Sequence, residues 1–373
     1  MGSMDELISP AIVAQLRAAL KNVAPTVDLA ALARAEEAVC GARLRQRVDL
    51  VRDALRSDLP AEFPAVERIA LDLLEEPRFA GWMIWPTTEL VTSRALETGS
   101  TTDFDAAMAL LARLTVGLTG EFAIRDMLIA RPERALDIMR SWTGHENEQV
   151  RRLATEGSRA YLPWAKRVPW LLVNPRATRP ILDATYRDPA EYVRRSVANH
   201  LNDLSRVDPA VVIRTATAWA GEPDAATPRV LRQGLRTLVK KADPAALRLL
   251  GFVGDSIEVA QPRVASDTVP RDGSVQFTAE VSNRGETDAV VAIDYAIGFQ
   301  RADGTVRPKI FKLASRRLAP GETVALTKTH SFRPITTRTY YPGPHFVMVQ
   351  ANGVPSPRAD FILQHHSEGS THE

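Results

Sequence analysis

Two arginine-rich stretches with the same opening determine the fold class of this chain. They are Val150-Arg-Arg-Leu-Ala-Thr-Glu-Gly-Ser-Arg159 and Val193-Arg-Arg-Ser-Val-Ala-Asn-His-Leu-Asn-Asp203. At 3.6 residues per turn, each places apolar residues on one helical face and arginines with acidic or amide side chains on another. Both are therefore predicted to be amphipathic helices, and in each an acidic residue lies among cations.

The two stretches belong to a longer repeat. Pro228-Arg-Val230 continues the series at spacings of 43 and 35 residues, and Asp208-Pro209 matches Asp243-Pro244 within it. Repeats of this length are typical of stacked helix pairs of the HEAT type. The apolar spacing is helical from Ser9-Pro10, a good N-cap and first-turn pair, to about residue 250. We therefore expect residues 5–252 to form an all-α, HEAT-like repeat solenoid.

After Gly254 the apolar residues alternate with polar ones, as in Val275–Val281 and Val291–Ile297. This period of two predicts strands. Four turn signals separate the alternating runs: Arg271-Asp-Gly273, Asn283-Arg-Gly285, Ala302-Asp-Gly304 and Ala319-Pro-Gly321. We expect residues 255–364 to form a small all-β, immunoglobulin-like sandwich. Its basic stretch, Lys309–Arg317, either contacts a polyanionic partner or supports the last helices.

Composition limits the class of protein. A chain of 373 residues with 45% hydrophobic residues is long enough for two or three domains. The single cysteine, Cys40, excludes a disulfide framework, and the first residues have no signal-peptide pattern. The most apolar window, residues 106–120, is interrupted by Arg113 and is too short to cross a bilayer. We expect a cytoplasmic protein with no membrane association.

Positive charge is concentrated in the middle of the chain. The net charge is −5 for residues 1–144, +7 for 145–250 and 0 for 251–373. Fifteen of the 18 cations in the middle segment are arginines. Because the guanidinium group binds phosphate in a bidentate way, this bias favours a polyanionic partner over a merely solvated surface.

The candidates for chemistry are carboxylates and tryptophans. The sequence has no glycine-rich phosphate loop, no HExxH and no cluster of cysteines or histidines, so we expect no metal and no cofactor. Trp164 lies in the proline-bracketed stretch Tyr161–Trp170, among cations. Its ring either packs between helices or stacks on a nucleic acid.

Three carboxylates also have two interpretations each. Glu121 follows a glycine and is either a structural carboxylate at a helix N-terminus or a group that meets a ligand. Glu156 pairs with an arginine of its own helix or takes part in chemistry. Asp203 pairs with Arg195 or Arg206, or likewise takes part in chemistry.

These residues carry a resemblance to a known family. Gly120-Glu-Phe-Ala-Ile-Arg125, Leu162-Pro-Trp164 and the two arginine-rich stretches together resemble the AlkC branch of bacterial alkylpurine DNA glycosylases, within the AlkC/AlkD superfamily. The resemblance covers about residues 5–250, and the second domain resembles the immunoglobulin-like module of one subset. It implies base excision repair of double-stranded alkylated DNA by a monomer. The implied reaction hydrolyses the N-glycosidic bond of N3-methyladenine and N3-methylcytosine without base flipping.

The resemblance also implies site residues. The catalytic residues would be Glu121, Glu156 and Asp203, with Trp164 packed on the sugar of the damaged nucleotide. Cations on successive repeats can follow a duplex backbone, and the predicted DNA contacts are Arg151, Arg152, Arg159, Lys166, Arg194, Arg195 and His200. The alternative is a non-catalytic HEAT-repeat scaffold that binds nucleic acid or protein, in which the same acids are ordinary ion-pair partners.

Overall fold

The computed structural model describes residues 4–252, 254–334 and 338–364. Contacts divide the chain into two compact units, Met1–Gly234 and Leu235–Glu373. Among the described residues all α-helices precede all strands, so the predicted all-α part followed by an all-β part is confirmed. None of the described helices is long and apolar enough to cross a membrane.

The first unit holds three short 3-10 helices, Met4–Ile8, Gly81–Met83 and Trp142–Gly144, and fourteen described α-helices. The α-helices are α1 (Pro10–Val23), α2 (Ala30–Ala38), α3 (Leu44–Asp58), α4 (Phe63–Leu74), α5 (Ile84–Thr98), α6 (Thr101–Leu114), α7 (Ile124–Ala130), α8 (Pro132–Ser141), α9 (Glu148–Gly157), α10 (Pro169–Val173), α11 (Arg179–Thr185), α12 (Glu191–Leu204), α13 (Pro209–Gly221) and α14 (Thr227–Gly234).

Local signals in the sequence explain where helices begin. The Ser9 hydroxyl accepts a hydrogen bond from the Ile12 amide and caps α1, with Pro10 in the first turn, as predicted. Asp208 caps α13 in the same way through the Val211 amide. These caps satisfy backbone donors that have no partner within the helix.

The repeated segments pack on one another. Helix α12 lies between α9 and α14, the three helices that carry the repeated motif. Gly157 ends α9 against α7, and a Cβ atom there would lie 2.8 Å from Cγ2 of Ile124. Only glycine therefore allows this close approach, which brings the end of α9 near the start of α7.

The second unit begins with two short helices, α15 (Arg236–Lys240) and α16 (Pro244–Leu249), and continues with ten described strands. The strands are β1 (Ile257–Val259), β2 (Arg263–Val264), β3 (Thr268–Val269), β4 (Ser274–Asn283), β5 (Ala289–Gln300), β6 (Val306–Leu318), β7 (Thr323–Ser331), β8 (Gly343–Ala351), β9 (Val354–Pro355) and β10 (Ala359–Leu363).

The strands form two sheets. In the first, β4 pairs with β1, β2 and β7; in the second, the order is β3-β10-β8-β5-β6, with β9 beside β8. The pairs are antiparallel except β3 with β10. Alternate residues such as Phe277 on β4 and Ile293 on β5 are buried in one shared core, as the period of two predicted. The four predicted turns lie before β4 and after β4, β5 and β6.

The boundary between the two predicted domains is not a single point. The last described helix ends at Leu249 and the first strand begins at Ile257, yet packing assigns α15 and α16 to the second unit. The bounds 5–252 and 255–364 stay a prediction. Lys309 and Lys312 are exposed on β6, which is an edge strand of its sheet. Lysines on such an edge oppose pairing with another chain.

Candidate active site

Four elements of the first unit carry the predicted catalytic residues. Glu121 lies just before α7, Glu156 in the last turn of α9, Asp203 in the last turn of α12, and Trp164 in the segment 158–168 that joins α9 to α10. Because α9 and α12 pack together, two acids that are far apart in sequence come to one place.

Three acids and two arginines form a continuous chain of ion pairs. Arg152 lies 3.0 Å from Glu121 and 3.6 Å from Glu156. Arg159 lies 2.5 Å from Glu156 and 2.8 Å from Asp203. We call these five residues the acid cluster. Within the cluster, three carboxylates face two guanidinium groups, and the charges of Arg206 and Arg125 also act on Asp203.

The ion-pair alternatives from the sequence are partly correct. Glu156 does pair with Arg152 and Arg159 of its own stretch. The described ion pair of Asp203 is with Arg159, which follows a different helix, and not with Arg195 or Arg206. The packing of α9 against α12 therefore determines the ion-pair partner of Asp203, and the spacing of residues within α12 does not.

Burial changes the acidity of this cluster. Glu156 and Asp203 are only 5% and 4% exposed. Burial raises the pKa of Glu121, although Arg152 opposes the change. Burial likewise raises the pKa of Asp203, with Arg159 opposing it. Both carboxyl groups therefore bind a proton more readily than they would in water.

The three carboxylates differ in how fully they are bound. Oε1 of Glu156 faces both arginines, and Oε2 accepts a 2.6 Å hydrogen bond from the Ser196 hydroxyl. Asp203 accepts its described hydrogen bond at Oδ2. Glu121 accepts from Arg152 at Oε2 and also has a side-chain hydrogen bond with Thr119. Within the described part of the chain, Glu156 is therefore held at both oxygens, whereas Asp203 has one described hydrogen bond, at a single oxygen.

A buried polar layer supports Glu156. The Thr155 hydroxyl donates to Ser196 at 2.7 Å, and His200 contacts the Thr155 carbonyl at 2.9 Å and the Thr178 hydroxyl at 3.1 Å. His200 is fully buried, and burial lowers its pKa to about 4. The imidazole is thus neutral and helps to fix the register between α9 and α12.

Trp164 is exposed and has an unusual backbone. Its φ is 62°, in the left-handed region, and 68% of the residue is accessible to solvent. A non-glycine residue in this region costs on the order of 1–2 kcal/mol. The expectation that the ring packs between helices is wrong, because the indole has little protein around it. No described contact joins the ring to the acid cluster.

The predicted DNA contacts separate into two groups. Arg195 and Lys166 are exposed, and Arg194 is half-buried with Nη1 bound to the carbonyls of Asp188 and Pro189. Lys166 also pairs with Asp126 at 2.8 Å. Arg195 and Lys166 are therefore accessible at the surface of the first unit, and Arg194 is partly accessible.

The other four predicted contacts are engaged inside the protein. Arg152 and Arg159 hold the acid cluster, and Arg151 binds the buried carboxylate of Asp188 at 2.6 Å. His200 has no exposed surface and both ring nitrogens have partners. A phosphate cannot reach His200 in this conformation, so its predicted DNA contact does not fit its position.

Sequence reasoning did not single out two residues beside the cluster. Tyr192 lies under two cations, 4.4 Å from Arg152 and 5.7 Å from Arg195, measured from the guanidinium carbon to the ring centre. Ser196 binds Glu156. Tyr192 adjoins the quoted arginine-rich stretch of α12, and Ser196 lies within it. A helical projection of that stretch, showing which residues face α9, could have identified both.

Metal ligation has no evident site. Within the described ranges, no group of three or more His, Cys, Asp and Glu side chains is placed to hold a metal ion.

The fold and the acid cluster define a class of protein: an α-helical repeat protein with a buried acid–arginine network and a C-terminal β-sandwich. Comparison with known proteins agrees with this description. Residues 258–365 match the family described as "Uncharacterised protein YhaZ, C-terminal Ig-like domain", which supports the predicted immunoglobulin-like fold.

The chain is 33% identical over 319 residues to "Uncharacterized protein YhaZ" of Bacillus subtilis, covering 85% of this chain and 87% of that protein. It therefore belongs to the YhaZ family. It is also similar to the alkylpurine DNA glycosylase AlkC of Pseudomonas fluorescens, solved bound to DNA containing an abasic site analog. The TM-score is 0.85 with 28% identity, over 98% of this chain and 100% of that one. The predicted resemblance to AlkC-type proteins is confirmed.

Proposed function

We propose that this protein is a monofunctional DNA glycosylase that removes cationic N3-alkylated bases, chiefly N3-methyladenine and N3-methylcytosine, from double-stranded DNA. The observation that carries the proposal is the acid cluster, in which two arginines hold three carboxylates of the helical repeat unit together. Similarity to AlkC over nearly the whole chain gives independent support.

The chemistry of the lesion suits such a cluster. An N3-alkylated base already carries a positive charge, so it departs without protonation by a general acid. The sugar left behind develops oxocarbenium character as the N-glycosidic bond breaks. Preorganised negative charge stabilises that cation, and it needs no reorganisation at the moment of reaction because the arginines hold the carboxylates in place.

The bonding pattern assigns different tasks to the three acids. Glu156 is bound at both oxygens and acts as fixed negative charge. Glu121 and Asp203 are the two ends of the chain of ion pairs, each bound to one arginine, and they act on the attacking water or the sugar. Burial raises the pKa of both, which makes their ionised forms stronger bases toward water. They orient and deprotonate the water.

Trp164 and the exposed cations bind the DNA. The exposed indole packs on the sugar of the damaged nucleotide, where its electron-rich face also favours the developing cation. Arg194, Arg195 and Lys166 contact phosphates. Because the acids act on the sugar from outside the stack, the base is not flipped into a pocket, and the products are a free base and an abasic site.

One observation favours the second candidate, a non-catalytic scaffold. Every carboxylate of the acid cluster is paired with an arginine, as in a purely structural network. Such networks also shift pKa values without any catalysis.

Base release separates the two candidates. The full chain is incubated with a duplex containing N3-methyladenine in the presence of EDTA, and free base is quantified by mass spectrometry against an unmethylated duplex. The proposal expects free N3-methyladenine and a strand that breaks only after alkaline treatment. Salt-sensitive DNA binding without any base release would instead support the scaffold.

A further inference from the structure

Arg125 is a buried arginine that the proposed reaction does not use. It lies on α7 with no exposed surface. Its Nη1 donates to the carbonyls of Gly157 and Arg159 at 2.8 and 2.6 Å, and its Nε donates to the carbonyl of Lys166 at 2.9 Å. One side chain therefore joins α7 to both ends of the segment between Gly157 and Lys166.

Burying this cation is unfavourable. Burial, and then the neighbouring Arg167 and Arg159, lower the pKa of Arg125 to about 10, so the group still carries its charge at neutral pH. No carboxylate among the described residues forms an ion pair with it, and Nη2 has no described hydrogen-bond partner. Three backbone carbonyls and the charge of Asp203 offset this cost, and a planar guanidinium group can donate to all three carbonyls.

The segment held in this way carries Trp164. Between the two anchored ends, the chain has no regular helix or strand, and the Trp164 backbone lies in the left-handed region. The indole itself has too few protein contacts to fix its own position. Anchoring the Lys166 carbonyl, two residues further on, restricts the backbone from which the ring projects.

We propose that Arg125 is a positioning residue that clamps the segment 158–166, so that the exposed Trp164 ring is held ready for the sugar of the damaged nucleotide. This inference rests on the proposed function for its catalytic consequence. The clamp itself is a property of the free protein and is testable without DNA.

The clamp is tested first on the free, full-length protein. In wild type, relaxation measurements should give the backbone of residues 160–166 the order parameters of a rigid segment, near about 0.85, and trypsin should cut slowly after Lys166 and Arg167, which are exposed. In Arg125→Lys, cleavage at these two sites should accelerate about tenfold, since a lysine cannot bind three carbonyls in this arrangement. Order parameters below about 0.6 for residues 160–166 in wild type would overturn the proposal even if the variant does not fold.

The chain offers a matched control. Arg47 is also buried, and it donates to the carbonyls of Ala42 and Ile8 at 2.8 and 3.1 Å. Arg47→Lys is the same substitution in the same kind of setting, on α3. It should leave cleavage after Lys166 unchanged; equal acceleration in both variants would mean that general loosening, and not the clamp, is responsible.

A double-mutant cycle tests the catalytic consequence. Arg125→Lys should lower the single-turnover rate of base release about tenfold in wild type, and less than about twofold in a Trp164→Ala background, because the clamp acts through that ring. Losses of equal size in both backgrounds would overturn the proposal. If wild type releases no base, the proposed function fails, and the relaxation and cleavage experiments still decide whether the clamp exists.

Discussion

Arg159 and Asp203 form an ion pair, with 2.8 Å between Nε and Oδ2, that joins the segment after α9 to the end of α12. The same guanidinium group holds Glu156 through Nη1. Two carboxylates from different helices thus share one cation. Because burial strengthens electrostatic interactions, a change at any member of the acid cluster alters the acidity of the others.

The acid cluster predicts a pH dependence. Base release needs ionised Glu121 and Asp203, so the rate should rise with pH through their raised pKa values and then reach a plateau. Arg152→Gln removes the cation that opposes the raised pKa of Glu121. The acid limb of the pH–rate profile should therefore move to higher pH. Single-turnover rates from pH 5 to 8 measure this. Arg151 is the neighbouring arginine and binds Asp188, so Arg151→Gln is the control, for which the acid limb of the pH–rate profile should not move.

We predict that substitution of Trp164 lowers activity while leaving stability nearly unchanged. Glycine adopts a φ of 62° without strain, and the exposed indole contributes little packing. Trp164→Gly should therefore melt within a few degrees of wild type while its rate of base release falls at least about tenfold. Calorimetry and single-turnover kinetics on the same preparation test the pair of outcomes. A large drop in melting temperature would show that the ring is part of the core.

The exposed cations predict a salt dependence. Arg195→Gln should weaken binding to undamaged duplex and reduce the slope of log affinity against log salt by about one. Arg151→Gln should leave the slope unchanged, because Asp188 already occupies that guanidinium group. Fluorescence anisotropy at several salt concentrations measures both slopes. Equal slopes for wild type and Arg195→Gln would remove Arg195 from the DNA interface.

Buried histidines predict loss of stability in acid. Burial lowers the pKa of His330 in the β-sandwich to about 4, whereas an unfolded histidine titrates near 6.5. The unfolded state therefore binds a proton first as pH falls, and stability should decline between pH 6.5 and 4 by about 3 kcal/mol at most for this group. Denaturant unfolding at pH 7 and 4.5 tests this. In His330→Phe the difference between the free energies of unfolding at these two pH values should be smaller. An unchanged difference would contradict the lowered pKa of His330.

Much of the fold follows from local signals in the sequence. Ser9 caps α1, and alternate residues of β4 fill the sandwich core, since both depend on a few adjacent residues. Glu121, Glu156 and Asp203 could be predicted as candidates from the resemblance to AlkC-type proteins, and their catalytic role stays a prediction. The separate tasks of the three carboxylates could not be predicted, because they depend on how each carboxylate is bound.

The errors at Asp203 and His200 have one physical cause. The sequence assigns α12 a single apolar face, which leaves Asp203 and His200 nearer to solvent. In the folded unit α12 lies between α9 and α14, so both residues are buried. A pairing across 44 residues such as Arg159 with Asp203 depends on that packing and not on helical period. For the same reason Arg125 had no predicted role.

The central claim is that the acid cluster carries out base excision. The most direct measurement is the single-turnover rate of N3-methyladenine release by Asp203→Asn and Glu121→Gln, compared with Asp105→Asn, an exposed acid paired with Arg134 on the surface. We predict that each cluster variant loses at least about a hundredfold in rate while still binding duplex DNA, and that Asp105→Asn matches wild type. Rates within about twofold of wild type for both cluster variants would contradict the account.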